Sequence, residues 1–344
     1  MKLRGAILGA GNIALRGHLP QWVSDDRLRH AVEIVAVADL VESNRDAARA
    51  LLPAVRLYPD AADLLGSERL DFCDICTPPF THRGLIEGAA RQGLHVVCEK
   101  PLAPTAVDAD GIARAVRAAG VVFEPCHQYH HSPQWRAARE RLASLGRIHY
   151  AEYHVLRTAA NEGNPHWRPS WRTEPEHAGG GILVDHGAHV LYLLRSVLGE
   201  PQAVRATTAT LLHHDYQVED TALLTLVYPA GLAQVNLTWA ARRRATHYRF
   251  VGERGEIEGD DRRLWVHAGR REEIQFGDGL SQDSSHSEWY SRLLREFLAR
   301  VRRGDSSTES LDEAVHVTRL IDRAYESARL GSTLTPVEER VSAH

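Results

Sequence analysis

A glycine-rich turn near the amino terminus places the strongest constraint on the fold of this chain. The apolar run Leu3–Leu8 leads directly into Gly9-Ala10-Gly11-Asn12-Ile13-Ala14, and a helical pattern follows. In such a fingerprint the first glycine allows a tight strand-to-helix turn, and the second lets a pyrophosphate approach the backbone. Ala14, at the third small position, lets the helix pack closely on its strand, and the helix amino terminus faces the phosphates. The sequence therefore predicts a dinucleotide-binding βα unit.

Predicted strands and helices alternate through the first third of the chain. Further strands are expected at residues 33–38, 55–58, 71–76, 94–98 and 121–123, and the helices between them at 45–52, 61–65, 82–92 and 105–119. Strands that alternate with helices are typical of a parallel, doubly wound sheet. We therefore expect an α/β Rossmann domain.

An acidic residue, Asp39, ends the second predicted strand. At this place a carboxylate accepts hydrogen bonds from the ribose hydroxyls of the cofactor and repels a 2′-phosphate. This favours NAD, with NADP less favoured. The alternative is that Asp39 is an ordinary turn residue at a strand end.

Lysine is rare in this chain and occupies a distinctive position. The 41 Lys and Arg residues include only two lysines, Lys2 and Lys100. Lys100 follows the apolar run 94–98, and ligands of open α/β sheets bind at the carboxyl ends of inner strands. An ammonium is a compact, rotatable donor that arginine does not replace. We interpret Lys100 as a functional residue near the nicotinamide, the alternative being chance retention in an arginine-biased composition.

A second group of polar residues follows three glycines, Gly179-Gly180-Gly181, which would let something large approach the start of a helix. If residues 182–189 are helical, Asp185 and His189 lie one turn apart on the same face. The aspartate would then orient the imidazole and support its charged form. A metal site is the rival interpretation, but a third ligand is lacking and the 20 histidines form no compact ligand motif, so we expect no metal. A surface pair without function is the other alternative.

The loop at residues 157–177 is the candidate for substrate contact, because it carries Trp167, Arg168, Trp171 and Arg172. Aromatic faces pack on the C–H faces of sugars, and arginine donors reach hydroxyl, carboxylate or phosphate oxygens. The alternative is a loop held in place by its own aromatic side chains.

The βα alternation stops after Pro133. A helix at 134–144 and a strand at 147–156 are followed by strand-like runs at 203–212, 220–228, 233–240 and 247–251, and amphipathic helices at 288–302 and 311–329 close the chain. Alternating residues in these runs give a sheet with one apolar face. The opposite face must meet solvent or another subunit, so we expect a homo-oligomer.

Composition excludes several classes of function. A net charge of −4 spread along the chain gives no footprint for nucleic acid or for an anionic membrane. The start of the chain lacks a signal-peptide pattern, and no apolar run approaches the roughly 20 residues of a spanning helix. Four cysteines are too few for a disulfide framework, and Cys73 and Cys76 lie in an apolar strand-like run. We expect a cytoplasmic protein.

Three motifs occur in the order found in one family. The fingerprint at residues 9–14, Glu99-Lys100-Pro101, and Gly179-Gly180-Gly181 with the following Asp185 and His189 resemble the Gfo/Idh/MocA oxidoreductases, which include glucose-fructose oxidoreductase and inositol 2-dehydrogenase. The resemblance covers nearly the whole chain. It implies a Rossmann domain at 1–127 and an α+β domain at 128–344 with a large, mostly antiparallel open sheet used for oligomerisation. The last helix of that second domain is expected to pack back on the first.

The motifs and the resemblance together give the candidate site residues. The catalytic set is Lys100, Asp185 and His189, with His189 as the acid/base. The cofactor-binding set is Gly9, Gly11, Asn12, Ile13, Asp39, Thr77, Pro78, His82, Glu99, Lys100 and Gln128. The substrate-binding set is Lys100, His130, Arg157, Trp167, Arg168, Trp171, Arg172, Asp185 and His189.

This chain departs from the family pattern at two places that concern substrate recognition. Tyr192 stands three residues after His189, where the family frequently has aspartate, and Gln128-Tyr129-His130-His131 stands where the family often has an arginine.

The leading functional hypothesis is NAD-dependent oxidation of a secondary alcohol of a sugar, a cyclitol or a phosphorylated relative, by a homodimer or homotetramer. A glycosidase that uses tightly bound NAD for transient oxidation is the second hypothesis, and a non-catalytic sensor of dinucleotide or sugar is the third. The presence of Lys100, Asp185 and His189 argues against the sensor.

Overall fold

The computed structural model describes residues 2–282 and 285–338, and its first part contains a six-stranded sheet. Its strands are β1 (Leu3–Leu8), β2 (Val32–Ala38), β3 (Arg56–Tyr58), β4 (Phe72–Ile75), β5 (His95–Glu99) and β6 (Phe123–Cys126). All neighbours pair in parallel in the order β3-β2-β1-β4-β5-β6, so the predicted doubly wound sheet is confirmed. The strand order reverses between β1 and β4, which is where such sheets bind ligands.

Short helices connect these strands. They are α1 (Leu19–Ser24), α2 (Asp26–Ala31), α3 (Glu42–Leu51), α4 (Ala61–Ser67), α5 (His82–Arg91) and α6 (Ala106–Ala119). A π-helical turn, Ala14–His18, begins at the last residue of the glycine fingerprint. Asp25 begins a new helix, because its carboxylate accepts hydrogen bonds from the backbone N–H groups of Arg27 and Leu28.

A nine-stranded sheet forms the second part of the molecule. Its strands are β7 (Ile148–Leu156), β8 (Ala203–Ala209), β9 (Thr221–Tyr228), β10 (Gly231–Thr238), β11 (Ala245–Gly252), β12 (Gly255–Gly259), β13 (Arg263–Ala268), β14 (Arg270–Gln275) and β15 (Thr335–Pro336). The order is β14-β13-β12-β11-β7-β10-β9-β8-β15, and among the described strands every neighbouring pair except β7 with β10 is antiparallel. The expected mostly antiparallel sheet is confirmed, with β12, β13, β14 and β15 as four additional strands that the sequence did not predict.

One face of this sheet is covered by helices and the other is open. The remaining helices are α7 (Pro133–Leu142), α8 (Pro175–Ala178), α9 (Ile182–Asp185), α10 (Gly187–Leu198), α11 (Ser287–Arg303) and α12 (Glu309–Arg329). Buried residues of α10 and α12 pack in one cluster with the inward-facing residues of the sheet. Leu223 and Leu232 on the opposite face are 48% and 47% exposed. None of the described helices is long and apolar enough to cross a membrane.

The two carboxy-terminal helices complete the core of the parallel sheet. Tyr290 and Phe297 of α11 pack with Ile7 and Phe72 on one of its faces. Leu311 of α12 joins the cluster on the other face. The two parts of the chain therefore share buried apolar surface, which fixes the second part against the edge of the first.

Arg157 is buried at the end of β7, although it was expected at the substrate. Its Nη1 donates to the carbonyl oxygens of Leu156 and Ala245 at 2.8 and 2.9 Å. The same atom lies 3.0 Å from Ser281 Oγ, and the side chain is 2% exposed. These contacts join two strand ends to a loop, so the structure gives Arg157 a supporting position, and a contact with substrate stays a prediction.

Replacing Arg157 with methionine is expected to lower the free energy of unfolding by about 3 kcal/mol, because charged hydrogen bonds contribute about 1.5–3 kcal/mol each and their buried acceptors would lose the donor. Chemical denaturation measures this loss. The matched control is Arg147→Met. Arg147 directly precedes the first residue of β7, and its exposed ion pair with Glu253 contributes less than about 1 kcal/mol. Unchanged stability of the Arg157 variant together with a raised KM for substrate would contradict the supporting role.

Candidate active site

The glycine fingerprint lies at the carboxyl end of β1 and is shaped for close approach. Gly9 has a φ of +91°, and a Cβ there would stand 2.7 Å from Thr77 Cγ2, so the turn requires glycine. A Cβ at Gly11 would meet no described atom within 4 Å. The space above Gly11 is thus open, as the approach of a pyrophosphate requires. These residues fit a dinucleotide.

Asp39 lies directly against the fingerprint. Its Oδ2 accepts a hydrogen bond from Ala10 N at 2.7 Å, and its Oδ1 accepts from Val41 N at 2.8 Å and from Asn44 Nδ2 at 3.1 Å. Asp39 therefore organises the turn at the strand end. A carboxylate has about four acceptor positions, so capacity for a ribose hydroxyl is left.

The other predicted cofactor residues lie at the same edge of the parallel sheet, and they differ in how deeply they are buried. Thr77 and Pro78 follow β4, and Asn12 and Ile13 belong to the fingerprint turn. Three further members of the set lie beneath the edge, where 5% or less of each is exposed: His82, Glu99 and Gln128. The ring of His82 contacts the carbonyl oxygens of Thr77 and Pro101, and Glu99 contacts His18 and Tyr290. His82 and Glu99 thus have partners within the protein, and contact of these three residues with the cofactor stays a prediction.

Lys100 connects this edge to the second part of the molecule. Its Nζ donates to Asp185 Oδ1 at 2.8 Å and to the Asp185 carbonyl oxygen at 3.0 Å. Burial alone would raise the pKa of the Asp185 carboxyl, but the Lys100 ammonium and His186 hold that pKa well below its usual value. The result is an ion pair with only 15% of the lysine side chain and 20% of the aspartate side chain exposed.

The stretch 182–189, which would place Asp185 and His189 one turn apart if it were helical, is divided into two helices. α9 ends at Asp185, α10 begins at Gly187, and His186 lies between them. The Asp185 carboxylate contacts Lys100 and the His186 ring, whose Nδ1 is 3.3 Å away. In the described part of the chain, no hydrogen bond joins this carboxylate to His189. Because Asp185 is engaged by the lysine, it does not orient the His189 imidazole as expected.

His189 is a buried imidazole with free hydrogen-bonding capacity. It is 7% exposed, and its Nδ1 has no hydrogen-bond partner in the described part of the chain. Its ring centroid lies 4.5 Å from that of Tyr129. Burial and the nearby Lys100 ammonium lower the pKa of His189 well below its usual value, so the ring is neutral at neutral pH. A neutral imidazole can accept a proton.

The three glycines before α9 serve packing within the protein. A Cβ at Gly180 would stand 2.0 Å from the Tyr325 hydroxyl, and one at Gly181 would stand 2.0 Å from the Glu219 carbonyl oxygen. The groups that approach the start of this helix are therefore Tyr325 and Glu219 of the same chain. This close packing holds Asp185 at the sheet edge.

The predicted substrate loop makes many contacts with itself and crosses to the nucleotide-binding part. Trp167 stacks on Phe80 with ring centroids 6.5 Å apart, and the Arg172 guanidinium lies 4.2 Å from the Trp171 ring centroid. Arg168 pairs with Glu174 at 3.6 Å. These contacts agree with a loop held by its own aromatic residues, and they leave substrate contact as a prediction.

Sequence reasoning missed the residue that fastens this loop. Asn164 Nδ2 donates to Asn44 Oδ1 at 2.7 Å, and Asn44 in turn donates to Asp39. The loop is therefore linked to the predicted ribose-binding carboxylate. No local pattern marks this pair, because the two asparagines are 120 positions apart.

Aromatic rings stack beside His189, and sequence reasoning did not predict this stacking. The His127 and Tyr192 rings stack with centroids 3.8 Å apart, and Tyr192 also contacts His130. Tyr192 lies three residues after His189, a helical spacing that places the two residues on the same face of α10. His130 Nε2 is 2.6 Å from Arg139 Nη1, and burial lowers the pKa of His130 to about 3.

Comparison with known families covers both parts of the chain. Residues 3–127 match the model of an oxidoreductase family with an NAD-binding Rossmann fold, and residues 135–258 match the GFO/IDH/MocA C-terminal domain. The D-apiose dehydrogenase of Paraburkholderia graminis is 29% identical, with 97% of this chain and 89% of that protein covered. The D-xylose 1-dehydrogenase (NADP(+)) 2 of Haloferax volcanii is 27% identical, with 95% and 98% covered.

Solved structures show the same fold. An oxidoreductase from Agrobacterium radiobacter in complex with NAD+, L-tartaric acid and magnesium has a TM-score of 0.84 at 22% identity, covering 98% of this chain and 99% of its own. A levoglucosan dehydrogenase in complex with NADH has a TM-score of 0.83 at 20% identity, covering 98% and 100%. With the two family models, these findings confirm the resemblance of the motifs: the chain belongs to the GFO/IDH/MocA family of NAD-binding oxidoreductases.

Proposed function

We propose that this protein is an NAD-dependent dehydrogenase that oxidises a secondary alcohol of a sugar, a cyclitol or a phosphorylated relative. The observation that carries the proposal is the Lys100–Asp185 ion pair at the cofactor edge. His189, four residues after Asp185, is buried and neutral near the Lys100 ammonium. Curated relatives named as apiose and xylose dehydrogenases support the substrate class.

Each residue of the proposed catalytic set has a distinct task. Bound NAD supplies the acceptor for the hydride. The Lys100 ammonium donates a hydrogen bond to the reacting oxygen, and Asp185 holds that ammonium in place. His189 takes the hydroxyl proton, and a base in this position typically contributes about 10²–10⁴-fold to the rate. In the direction of reduction the same imidazole returns the proton.

The cofactor residues follow from the fingerprint. The backbone from Gly9 to Ile13 would hold the pyrophosphate, and the Asp39 carboxylate would bind the ribose hydroxyls. Thr77 and Pro78 would line the nicotinamide side of the edge. Because the carboxylate repels a 2′-phosphate, we propose a preference for NAD over NADP.

His189→Asn and Lys100→Met are each expected to lower kcat by about 10²–10⁴-fold, since each removes a group that acts on the reacting oxygen or its proton. The KM for NAD is expected to stay within about twofold. A panel of polyols followed at the NADH absorbance identifies the substrate and measures both constants. His214→Asn, on the surface, and Lys2→Met, the other lysine, are the controls. Wild-type kcat in both site variants would refute the assigned roles.

Asp39→Ala is expected to reduce the ratio of kcat/KM for NAD to kcat/KM for NADP by about tenfold or more, which corresponds to at least about 1.4 kcal/mol of lost discrimination. The loss follows from removing the charge that repels the 2′-phosphate. Asp46→Ala, an exposed aspartate on the adjoining helix α3, is the control. An unchanged ratio in the Asp39 variant would mean that Asp39 only organises the turn.

We also propose that the open face of the nine-stranded sheet joins subunits into a homodimer or homotetramer, because Leu223 and Leu232 expose apolar surface there. Light scattering at micromolar concentration is expected to give two or four times the chain mass of 38.3 kDa. The double variant Leu223→Arg/Leu232→Arg should give the mass of one chain, whereas Leu212→Arg, exposed on a loop, should not. A monomeric wild-type protein would contradict this proposal.

We also propose a cytoplasmic location, on the chemistry of the cysteines. The four cysteines are buried free thiols, as a reducing compartment maintains them.

A further inference from the structure

A fully buried histidine bridges two carboxylates beneath the candidate active site. His18, in the turn after the fingerprint, is 0% exposed. Its Nδ1 lies 2.9 Å from Asp74 Oδ2 on β4, and its Nε2 lies 2.9 Å from Glu99 Oε1 on β5. Asp74 and Glu99 are themselves 0% and 5% exposed. Charged groups this deep are rare unless each is paired.

The number of donors indicates which group carries the proton. An ionised carboxylate only accepts hydrogen bonds, and a neutral imidazole has a single N–H. Two contacts to two ionised carboxylates therefore require an imidazolium. Further donors favour the ionised carboxylates: Trp22 Nε1 donates to Asp74 at 2.8 Å, and the Tyr290 hydroxyl donates to Glu99 at 2.5 Å.

The surroundings of His18 agree with this charge distribution. Burial lowers the pKa of His18, but Asp74 and Cys76 outweigh it and raise that pKa well above its usual value. Burial raises the pKa of Glu99, and His18 and Lys100 reverse that shift. The titratable groups that face the imidazole from the packed elements are Asp74 and Cys76 of the β4 end, Glu99 of β5, Cys126 of β6 and Tyr290 of α11.

The same carboxylate holds the backbone of Lys100. Glu99 Oε2 accepts a hydrogen bond from Lys100 N at 3.1 Å, while Oε1 is fixed by His18. Lys100 then reaches across to Asp185. Positive and negative groups therefore alternate from His18 through Glu99 and Lys100 to Asp185, and the first of these is anchored in the core of the parallel sheet.

We propose that His18 is a positioning residue for the reaction: as an imidazolium held between Asp74 and Glu99, it fixes Glu99 against the backbone of Lys100 and thereby sets where the ammonium meets the substrate oxygen. The proposal rests on the proposed dehydrogenase function. It assigns a task to a residue that touches neither cofactor nor substrate.

Nitrogen-15 NMR of the full chain with labelled histidine tests the charge directly, and it needs no substrate. The His18 signals are assigned by their loss in His18→Gln. Both ring nitrogens are expected to stay protonated at neutral pH, because the neighbouring carboxylates raise the pKa of His18 well above the ordinary histidine value of about 6.5. A ring with a single protonated nitrogen at neutral pH would overturn the proposal. So would a stoichiometric metal ion found by elemental analysis, because His18, Asp74 and Cys76 bring ligand atoms within 4.8 Å of one another.

Kinetics test the positioning. His18→Gln is expected to lower kcat by about 10–100-fold, the loss that small misplacements of reacting groups cause, with the Kd for NAD changed by less than about twofold. His95→Gln is the matched control, because His95 lies at the other end of β5, where its ring accepts a hydrogen bond from Val122 N at 3.1 Å. A kcat for His18→Gln equal to that of His95→Gln would overturn the proposal.

Chemical rescue separates charge from shape. Added imidazole is expected to restore part of the kcat of His18→Ala, whereas pyrazole, a ring of similar size that stays neutral, is not. Equal rescue by imidazole and pyrazole would overturn the proposal that the charge of His18 fixes Glu99. If no polyol reduced NAD in the unaltered protein, the dehydrogenase function itself would fail, and the NMR result would still accept or reject the imidazolium.

Discussion

The site depends on one ion pair, formed by Lys100 at the edge of the parallel sheet and Asp185 from the second part of the chain. An ammonium in this place would otherwise be a mobile surface charge. Here most of both side chains is shielded from water, so their attraction is stronger than that of an exposed pair. The pair requires the two parts of the chain to be held together, and α11 and α12 do this by packing on both faces of the parallel sheet.

The surroundings then give the two histidines, His18 and His189, different charge states. His18 is held as a cation by two carboxylates, whereas His189, buried beside the Lys100 ammonium, is held neutral. Pairs of titratable groups whose pKa values are driven apart by their environment are typical of acid/base sites. In this molecule one imidazole is thereby free to accept a proton, and the other serves to fix a charge.

The local sequence pattern was sufficient to predict the parallel sheet, because its buried strands are short apolar runs between helices and turns. The strand β14 escaped prediction because the residues of Arg270–Gln275 alternate only weakly and lie at an exposed edge, where pairing with a neighbour decides the conformation. The break at His186 and the pairing of Lys100 with Asp185, 85 positions later, are tertiary effects. The motifs proposed Lys100, Asp185 and His189 as the catalytic set, and those roles stay a prediction. Which partner each residue meets depends on contacts that no spacing encodes.

The central claim is that Lys100 and His189 act on one alcohol group of a bound polyol. A crystal structure of the protein soaked with NAD and a polyol that it oxidises tests this claim most directly. We expect one hydroxyl oxygen of the polyol within hydrogen-bond distance, about 2.6–3.2 Å, of both Lys100 Nζ and a ring nitrogen of His189. A polyol bound with its reacting carbon away from these two side chains would contradict the account.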